Sequence, residues 1–258
     1  MSLKDSHPLF SIITVCLNEP NLERTCESIV NQSYQNFEWL VIDGGSDEKT
    51  LHIFEKYKAR MNYFVSEKDD GIYHAMNKGI LQAKGHYCNF MNAGDSFYTS
   101  DALERARKVL EGEPEIDVLY GNALTSQERL VRPELKYELG EYLYYTTFPH
   151  QSTFIRNKCF KYYGLYDAKL KIASDYKYFL LLYKNECIFM YFDVIVSRMD
   201  QSGISSNPLN RKLLFNEREQ IISEFYTIDE IRYFEQRRYE ARKNFLISQL
   251  RSKVKEIR

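Results

Sequence analysis

HYCNFMNAGDSF, residues His86 to Phe97, is an apolar run that breaks onto a turn of small residues carrying one carboxylate. Tyr87, Cys88, Phe90 and Met91 have the composition of a buried strand, and Asn92, Ala93 and Gly94 have the turn character to end it. Asp95 is then the first charge after the strand. In open α/β sheets ligands bind in the crevice beyond the carboxyl ends of the strands, which makes Asp95 a candidate for holding a hard cation against a phosphate. Taken alone, an Asp in this place suits a turn cap equally well.

The same arrangement of strand followed by acid occurs upstream. FEWLVI (Phe37 to Ile42) runs into Asp43, Gly44, Gly45, Ser46 and Asp47, and FSIITVCL (Phe10 to Leu17) ends in Asn18, Glu19, Pro20 and Asn21. Both runs are almost wholly apolar, as in a parallel sheet covered on both faces. Between them, Leu22, Cys26, Ile29 and Val30 share one helical face, with Asn21 as the cap. Leu51, Phe54 and Tyr57 give a second helix, Tyr63 to Val65 a short strand, and Met76 and Ile80 a third helix that Gly85 closes. This β-α alternation from Phe10 to Met91 predicts a mainly parallel sheet flanked by helices.

Downstream, Asp101 to Leu110 reads as a helix and Ile116 to Tyr120 as a strand. The stretch from Gly121 to Pro149 is Tyr-rich and irregular. A strand at Ser152 to Ile155, a helix at Ala173 to Lys184 and one or two strands in Ile188 to Met199 follow. Gln201 to Pro208 is a linker or loop, and the chain is helical in pattern from Asn210. Its end, Arg232 to Arg258, carries nine basic against three acidic residues, a net +6. That tail is a candidate for peripheral contact with an anionic membrane, or for a solvated helix packed on the body or on a second copy in a homo-oligomer. The expected division is a domain over 1–205 and a C-terminal helical extension over 206–258.

The 258 residues are 44% hydrophobic and 28% charged, with a net charge of −1. That composition excludes disorder and gives no whole-chain signature of nucleic-acid binding. Cys16, Cys26, Cys88, Cys159 and Cys187 are odd in number and widely spaced, which fits buried thiols in a reducing compartment. No apolar run approaches the roughly 18 to 20 residues of a membrane span, and the N-terminus lacks a signal-peptide core. A cytoplasmic protein is expected, at most peripheral on the inner face of the membrane. There is no GxGxxG fingerprint and no GxxxxGK[ST] loop, so dinucleotide oxidoreductases and P-loop NTPases are disfavoured.

Six stretches in order resemble the inverting nucleotide-sugar glycosyltransferases of family 2, in particular those that build bacterial surface and capsular polysaccharides. They are SIITVCLNE (Ser11 to Glu19), QSYQNFEWLVIDGGSDEKT (Gln32 to Thr50), SEKDDGIYHAMNKGI (Ser66 to Ile80), NFMNAGDSF (Asn89 to Phe97), PHQSTF (Pro149 to Phe154) and ASDYKYFLLL (Ala173 to Leu182). The resemblance implies the GT-A fold, a Rossmann-like, mixed and mainly parallel sheet. It also implies a nucleotide-sugar donor, with a UDP-sugar expected, a glycan or lipid-linked acceptor, and Mg²⁺ or Mn²⁺.

It further assigns roles. Thr14, Asn18, Glu19 and Asp43 would line the nucleoside pocket. Asp69, Asp70, Gly71, Ile72, Tyr73 and Asn77 would sit over the ribose and donor sugar. Asp95 would take the last position of the metal motif, which here reads Asn92-Ala93-Gly94-Asp95 with one carboxylate instead of two. His150 and Gln151 would face the acceptor or donor sugar, and Asp175 would be the general base. Two further departures are His74, where relatives often have Asp, and Ser202 in Ser202-Gly203-Ile204-Ser205, where they have Gly. The chemistry needs this set, because the leaving diphosphate gains charge and the attacking hydroxyl must lose its proton. Read without the resemblance, Asp175 suits a first-turn helix acid. Two rival functions remain at this stage: a scaffolding or nucleotide-binding subunit, and a sugar nucleotidyltransferase, whose Gly-rich opening loop is missing from Ser11 to Asn21.

Overall fold

The computed structural model describes residues 7–134, 136–200 and 203–256, with side chains as far as residue 244. An apolar run without a polar face needs cover on both sides, and β1 (Phe10–Cys16) is buried at every position. β2 (Phe37–Asp43) lies parallel to it on one side and β4 (Tyr87–Phe90) on the other, with β3 (Tyr63–Ser66) parallel beyond β2. Helices α1 (Leu22–Val30), α2 (Glu48–Tyr57) and α3 (Ile72–Gln82) make the crossovers.

Beyond β4 the sheet becomes mixed. β8 (Thr153–Arg156) is antiparallel to β4, and β6 (Val118–Thr125) is antiparallel to β8. β9 (Phe189–Met199) runs parallel to β6, while β5 (Ser96–Phe97) and β7 (Leu130–Val131) are short antiparallel additions to β9 and β6. The order is β3-β2-β1-β4-β8-β6-β9-β5, with β7 beside β6.

Alternation along the strands sends side chains into two layers. Ile13, Val15, Leu40, Ile42, Cys88 and Phe90 pack under α3, together with α6 (Asn157–Tyr163) and α7 (Ser174–Lys184). Phe10, Ile12, Trp39, Val41 and Tyr87 pack under α1, α2 and α4 (Ala102–Gly112) on the other face. The first layer extends into the C-terminal helices, because Ile221 and Tyr226 from α8 (Arg211–Phe225) and its end belong to it. The first turns of α9 (Ile228–Glu256) rest on α5 (Leu139–Tyr145), where the Tyr145 hydroxyl donates to the Phe234 carbonyl at 2.6 Å. The basic residues of the tail from Arg251 onward, and its apolar residues from Phe245, lie outside the described side chains.

Several sequence expectations change in detail. Gly85 does not cap α3, which ends three residues earlier. It is required because the chain crosses β1 there: a Cβ would stand 2.6 Å from the Phe10 carbonyl carbon and the Ser11 nitrogen. The Gly121 to Pro149 stretch is more regular than its composition suggests, since β6 continues to Thr125 and α5 follows. Ile188 to Met199 holds a single strand. Asn21 precedes α1 without capping it, its side-chain amide donating instead to Asp200 at 3.0 Å. Cys16, Cys26, Cys88 and Cys159 are buried free thiols and Cys187 is half-buried.

Because the space at Gly85 is closed by backbone, which cannot rotate away, Gly85→Ala is expected to destabilise the fold by about 2 to 3 kcal/mol. Urea denaturation checks this, and Gly112→Ala, where a Cβ meets nothing within 4 Å, is the control.

Candidate active site

The carboxyl ends of β1, β2 and β4 share one edge of the sheet. Cys16 is in register with Asp43, and the Gly44 amide donates to the Cys16 carbonyl at 2.8 Å. Asp43 is fully buried, and its carboxylate accepts from the amides of Gly45 (3.1 Å) and Ser46 (2.9 Å) and from the hydroxyls of Ser46 and Ser66. Asn18, at φ +52°, splints the two strand ends: its side-chain oxygen accepts from the Asp47 amide and its own amide donates to Ser46 Oγ, both at 2.8 Å. Asp47 caps α2 through the Thr50 amide. Thr14 faces the core instead of the edge. It is fully buried, with its Oγ1 accepting from the Trp39 indole at 3.0 Å, so this side chain lines no open pocket.

Asp69, Asp70 and Gly71 lead into α3. Asp69 pairs with Lys78 at 2.6 Å and stands 3.4 Å from the place a Gly44 Cβ would take, which brings the β2 and β3 loops together. Asp70 is exposed, its amide donating to His74 Nδ1 at 3.3 Å. Gly71 has φ +125°, a conformation that L side chains rarely adopt. Asn77 is occupied structurally: its amide donates to the Tyr166 carbonyl at 2.8 Å and accepts from the Tyr166 amide at 3.0 Å. It ties α3 to the 164–173 loop.

The two acids singled out for chemistry meet through consecutive residues. Gln151 donates to Asp95 Oδ2 at 2.8 Å, and His150 Nδ1 stands 3.1 Å from Asp175 Oδ2. Asn92 Nδ2 lies 3.1 Å from His150 Nε2. In this amide orientation Nε2 accepts, so the ring proton sits on Nδ1 and donates to Asp175. The other Asp175 oxygen, Oδ1, lies 3.0 Å from the Tyr73 hydroxyl and accepts from the Tyr176 amide at 2.9 Å. Burial raises the Tyr73 phenol well above its ordinary value, so it remains a donor. His150 and Gln151 thus hold carboxylates.

The His150–Ser152 turn is itself fixed. Asn89 donates to the Gln151 carbonyl at 3.0 Å, and Ser152 Oγ lies 2.7 Å from Ser197 Oγ. Asp95 is 5% exposed, and its second oxygen accepts from the Asp200 amide at 2.8 Å. The Asp200 carboxylate in turn meets Arg24 at 3.2 Å, and Arg24 also donates to the Gly94 carbonyl. Glu19 packs against Gly94, whose φ of +96° and lack of a Cβ admit it.

With this edge in view, the relatives can be placed. The model of the family described as Glycosyl transferase family 2 matches residues 11–166. This chain belongs to that family. A PGL/p-HBAD biosynthesis glycosyltransferase of Mycobacterium bovis is 28% identical to the transferase over 207 residues, spanning 78% of this chain and 80% of the relative. A Mycobacterium tuberculosis protein named only as an uncharacterised glycosyltransferase is 30% identical over 208 residues, 78% and 79% of the two chains. Among solved structures, residues 1–349 of S. aureus TarS bound to UDP-GlcNAc align at TM-score 0.66 with 22% identity, over 84% of this chain and 71% of that one. The transferase spans 42% of the longer TarS chain. A Pyrobaculum calidifontis mannosyltransferase with GDP-Man and Mn²⁺ aligns at TM-score 0.60 and 17% identity, over 75% and 57%. The fold is therefore GT-A.

The 92–95 turn of the transferase suits a hard cation in part. Asn92 Oδ1 is buried without a hydrogen-bond partner, and Asp95 is buried without a Lys or Arg ion pair among the described residues. Both are oxygen donors of the kind Mg²⁺ and Mn²⁺ accept. No group of three or more His, Cys, Asp or Glu able to hold a metal occurs among the described residues.

Sequence reading did not single out Arg24, Asp200 or the joining of Tyr73 to Asp175. No local motif marks them, because each partner lies roughly 70 to 180 residues away in sequence.

Burial pushes the Asp95 carboxyl up from 3.8 to about 6. Between those values the folded chain keeps a proton that the unfolded chain has released, so stability falls as pH rises through this window and the penalty persists above it. Asp95→Asn is expected to raise stability at pH 7 by roughly 1 to 3 kcal/mol in chelator-treated buffer, the difference vanishing toward pH 4. Urea titrations at the two pH values measure it.

Proposed function

We propose that the transferase moves a sugar from a nucleoside diphosphate donor, a UDP-sugar in this reading, to a glycan hydroxyl with inversion at the anomeric carbon. The observation that carries this reading is the setting of Asp175. Its carboxylate is held by His150 and the Tyr176 amide and stands 3.0 Å from the Tyr73 hydroxyl, whose one proton it shares with the Ile172 carbonyl, at the edge of the sheet where Asp43 and Asp95 also stand. A general base must be fixed within hydrogen-bond reach of the proton it takes, and a carboxylate with defined partners and lone pairs to spare meets that need.

In the reaction the bond from the anomeric carbon to the acceptor oxygen forms as the bond to the diphosphate oxygen breaks. The acceptor proton passes to Asp175, and the electron pair leaves on the diphosphate. His150 orients the carboxylate through Nδ1, while Asn92 keeps the ring in that tautomer. A bound Mg²⁺ or Mn²⁺, held by Asp95 and Asn92, would supply positive charge at the leaving diphosphate. At the nucleoside end, Asn18 and Glu19 stand at the end of β1 beside the 44–46 turn that the buried Asp43 carboxylate fixes, and the loop from Asp69 to Gly71 borders them.

The ligands named for the two structural neighbours, UDP-GlcNAc in one and GDP-Man with Mn²⁺ in the other, support a nucleotide-sugar donor. The basic C-terminal tail supports a lipid-linked acceptor in surface polysaccharide synthesis, approached from the inner membrane face. No described helix is long and apolar enough to cross a membrane.

Calorimetric titration with UDP, GDP, dTDP and CDP, each with and without Mn²⁺, is expected to give metal-enhanced binding of UDP. Asp175→Asn is expected to lower transfer by about 10³-fold while leaving UDP affinity within about twofold. Unchanged turnover in this variant would remove Asp175 as the base, and failure to bind any nucleotide would remove the donor assignment.

A further inference from the structure

We propose that Glu217, on α8, is a positioning residue for Asp175, which makes the C-terminal helices part of the active centre. The proposal rests on Asp175 as the base. The family match ends at residue 166, so Glu217 lies well beyond it. In sequence it belongs to the charged run NEREQ and reads as a solvated helix face.

The structure buries it. Glu217 is 7% exposed, and its carboxylate accepts three consecutive backbone amides: Lys171 at 2.7 Å, Ile172 at 3.0 Å and Ala173 at 2.9 Å. Charge-assisted bonds of this kind are stronger than neutral ones, and three on one carboxylate fix the backbone that enters α7. The fixed segment leads directly to the base. The Ile172 carbonyl meets the Tyr73 hydroxyl at 2.5 Å, and that hydroxyl is 3.0 Å from Asp175 Oδ1.

The same helix grips the far side of Asp175. The Arg218 guanidinium stands 4.1 Å from the Tyr176 ring centroid, and Glu224 pairs with Lys177 at 2.9 Å. Residues 171–173, 176 and 177 are thus all held by α8, and Asp175 lies between them. No other described acid accepts from the amides that Glu217 binds. Gln at this position would place an NH₂ against amide donors, and Asp would fall short of them.

The test uses the full chain with Glu217→Gln and Glu217→Asp. Hydrogen exchange is expected to rise about tenfold or more at the amides of residues 171–177 in Glu217→Gln, and to stay near wild type in the β1–β4 half of the sheet. With the donor and acceptor that satisfy the transfer assay above, kcat is expected to fall about 10- to 100-fold while the donor KM changes by less than about twofold. Combined with Asp175→Asn, Glu217→Gln should add little further loss, because both changes remove the same function.

Exchange that is unchanged, or raised evenly over the whole chain, would overturn the proposal, as would local loosening with wild-type kcat. Should Glu217→Gln fail to fold, Glu217→Asp is judged on the same two readouts. An active Asp175→Asn would instead overturn the base assignment, and the exchange pattern would still decide whether Glu217 holds the segment.

Discussion

Two carboxylates with little access to water, Asp95 and Asp175, are held by neighbouring residues of a single turn. Removing a carboxylate from water is costly unless its oxygens are given donors, and the transferase meets that cost with Gln151 on one acid and His150 on the other. Because His150 and Gln151 are adjacent, the two acids cannot shift independently. Under the proposed chemistry, one acid would serve the leaving group and the other the attacking hydroxyl. Asn89 and Ser197 hold the turn by contacts of their own.

The rest of the fold can be understood as bringing donors to that turn. The parallel half of the sheet, β3-β2-β1-β4, delivers the ends of four strands to one edge, and the mixed half carries β8 directly out of the His150–Ser152 turn. The end of β9 returns the Asp200 amide to Asp95. Asp95 remains incompletely compensated, since its carboxyl is still pushed up to about 6 by burial. A site tuned for stability alone would neutralise that charge within the protein. Keeping it uncompensated is the usual compromise where a charge must be available to a ligand.

Much of this was legible in the sequence because it is written in local patterns. The apolar runs at Phe10 and Phe37, each closed by small and acidic residues, have the composition that parallel strands require. Their alternation with helical faces predicted the β-α order from β1 through β4. Other features were misread for identifiable reasons. Gly85 resembles a helix stop in sequence, but its constraint is a backbone crossing with β1. Thr14 sits near a strand end, yet strand alternation turns it toward Trp39 and away from the edge. Asn77 resembles a ligand contact in its motif, and its amide is used on the Tyr166 backbone.

The sequence by itself determined the α/β fold class and the acids that follow strands, since strand and helix periodicity and the turns that follow strands depend on residues within a few positions of one another; the type of chemistry and the choice of Asp175 came from the resemblance to family 2. Only the tertiary structure decided which donors each acid receives. Tyr73 reaches Asp175 across 102 positions, Asp200 reaches Asp95 across 105, and Glu217 reaches the segment before Asp175 across about 45. Contacts at such separations are set by how sheet and helices pack, and a charged residue such as Glu217 has the same local signature whether it faces water or three buried amides.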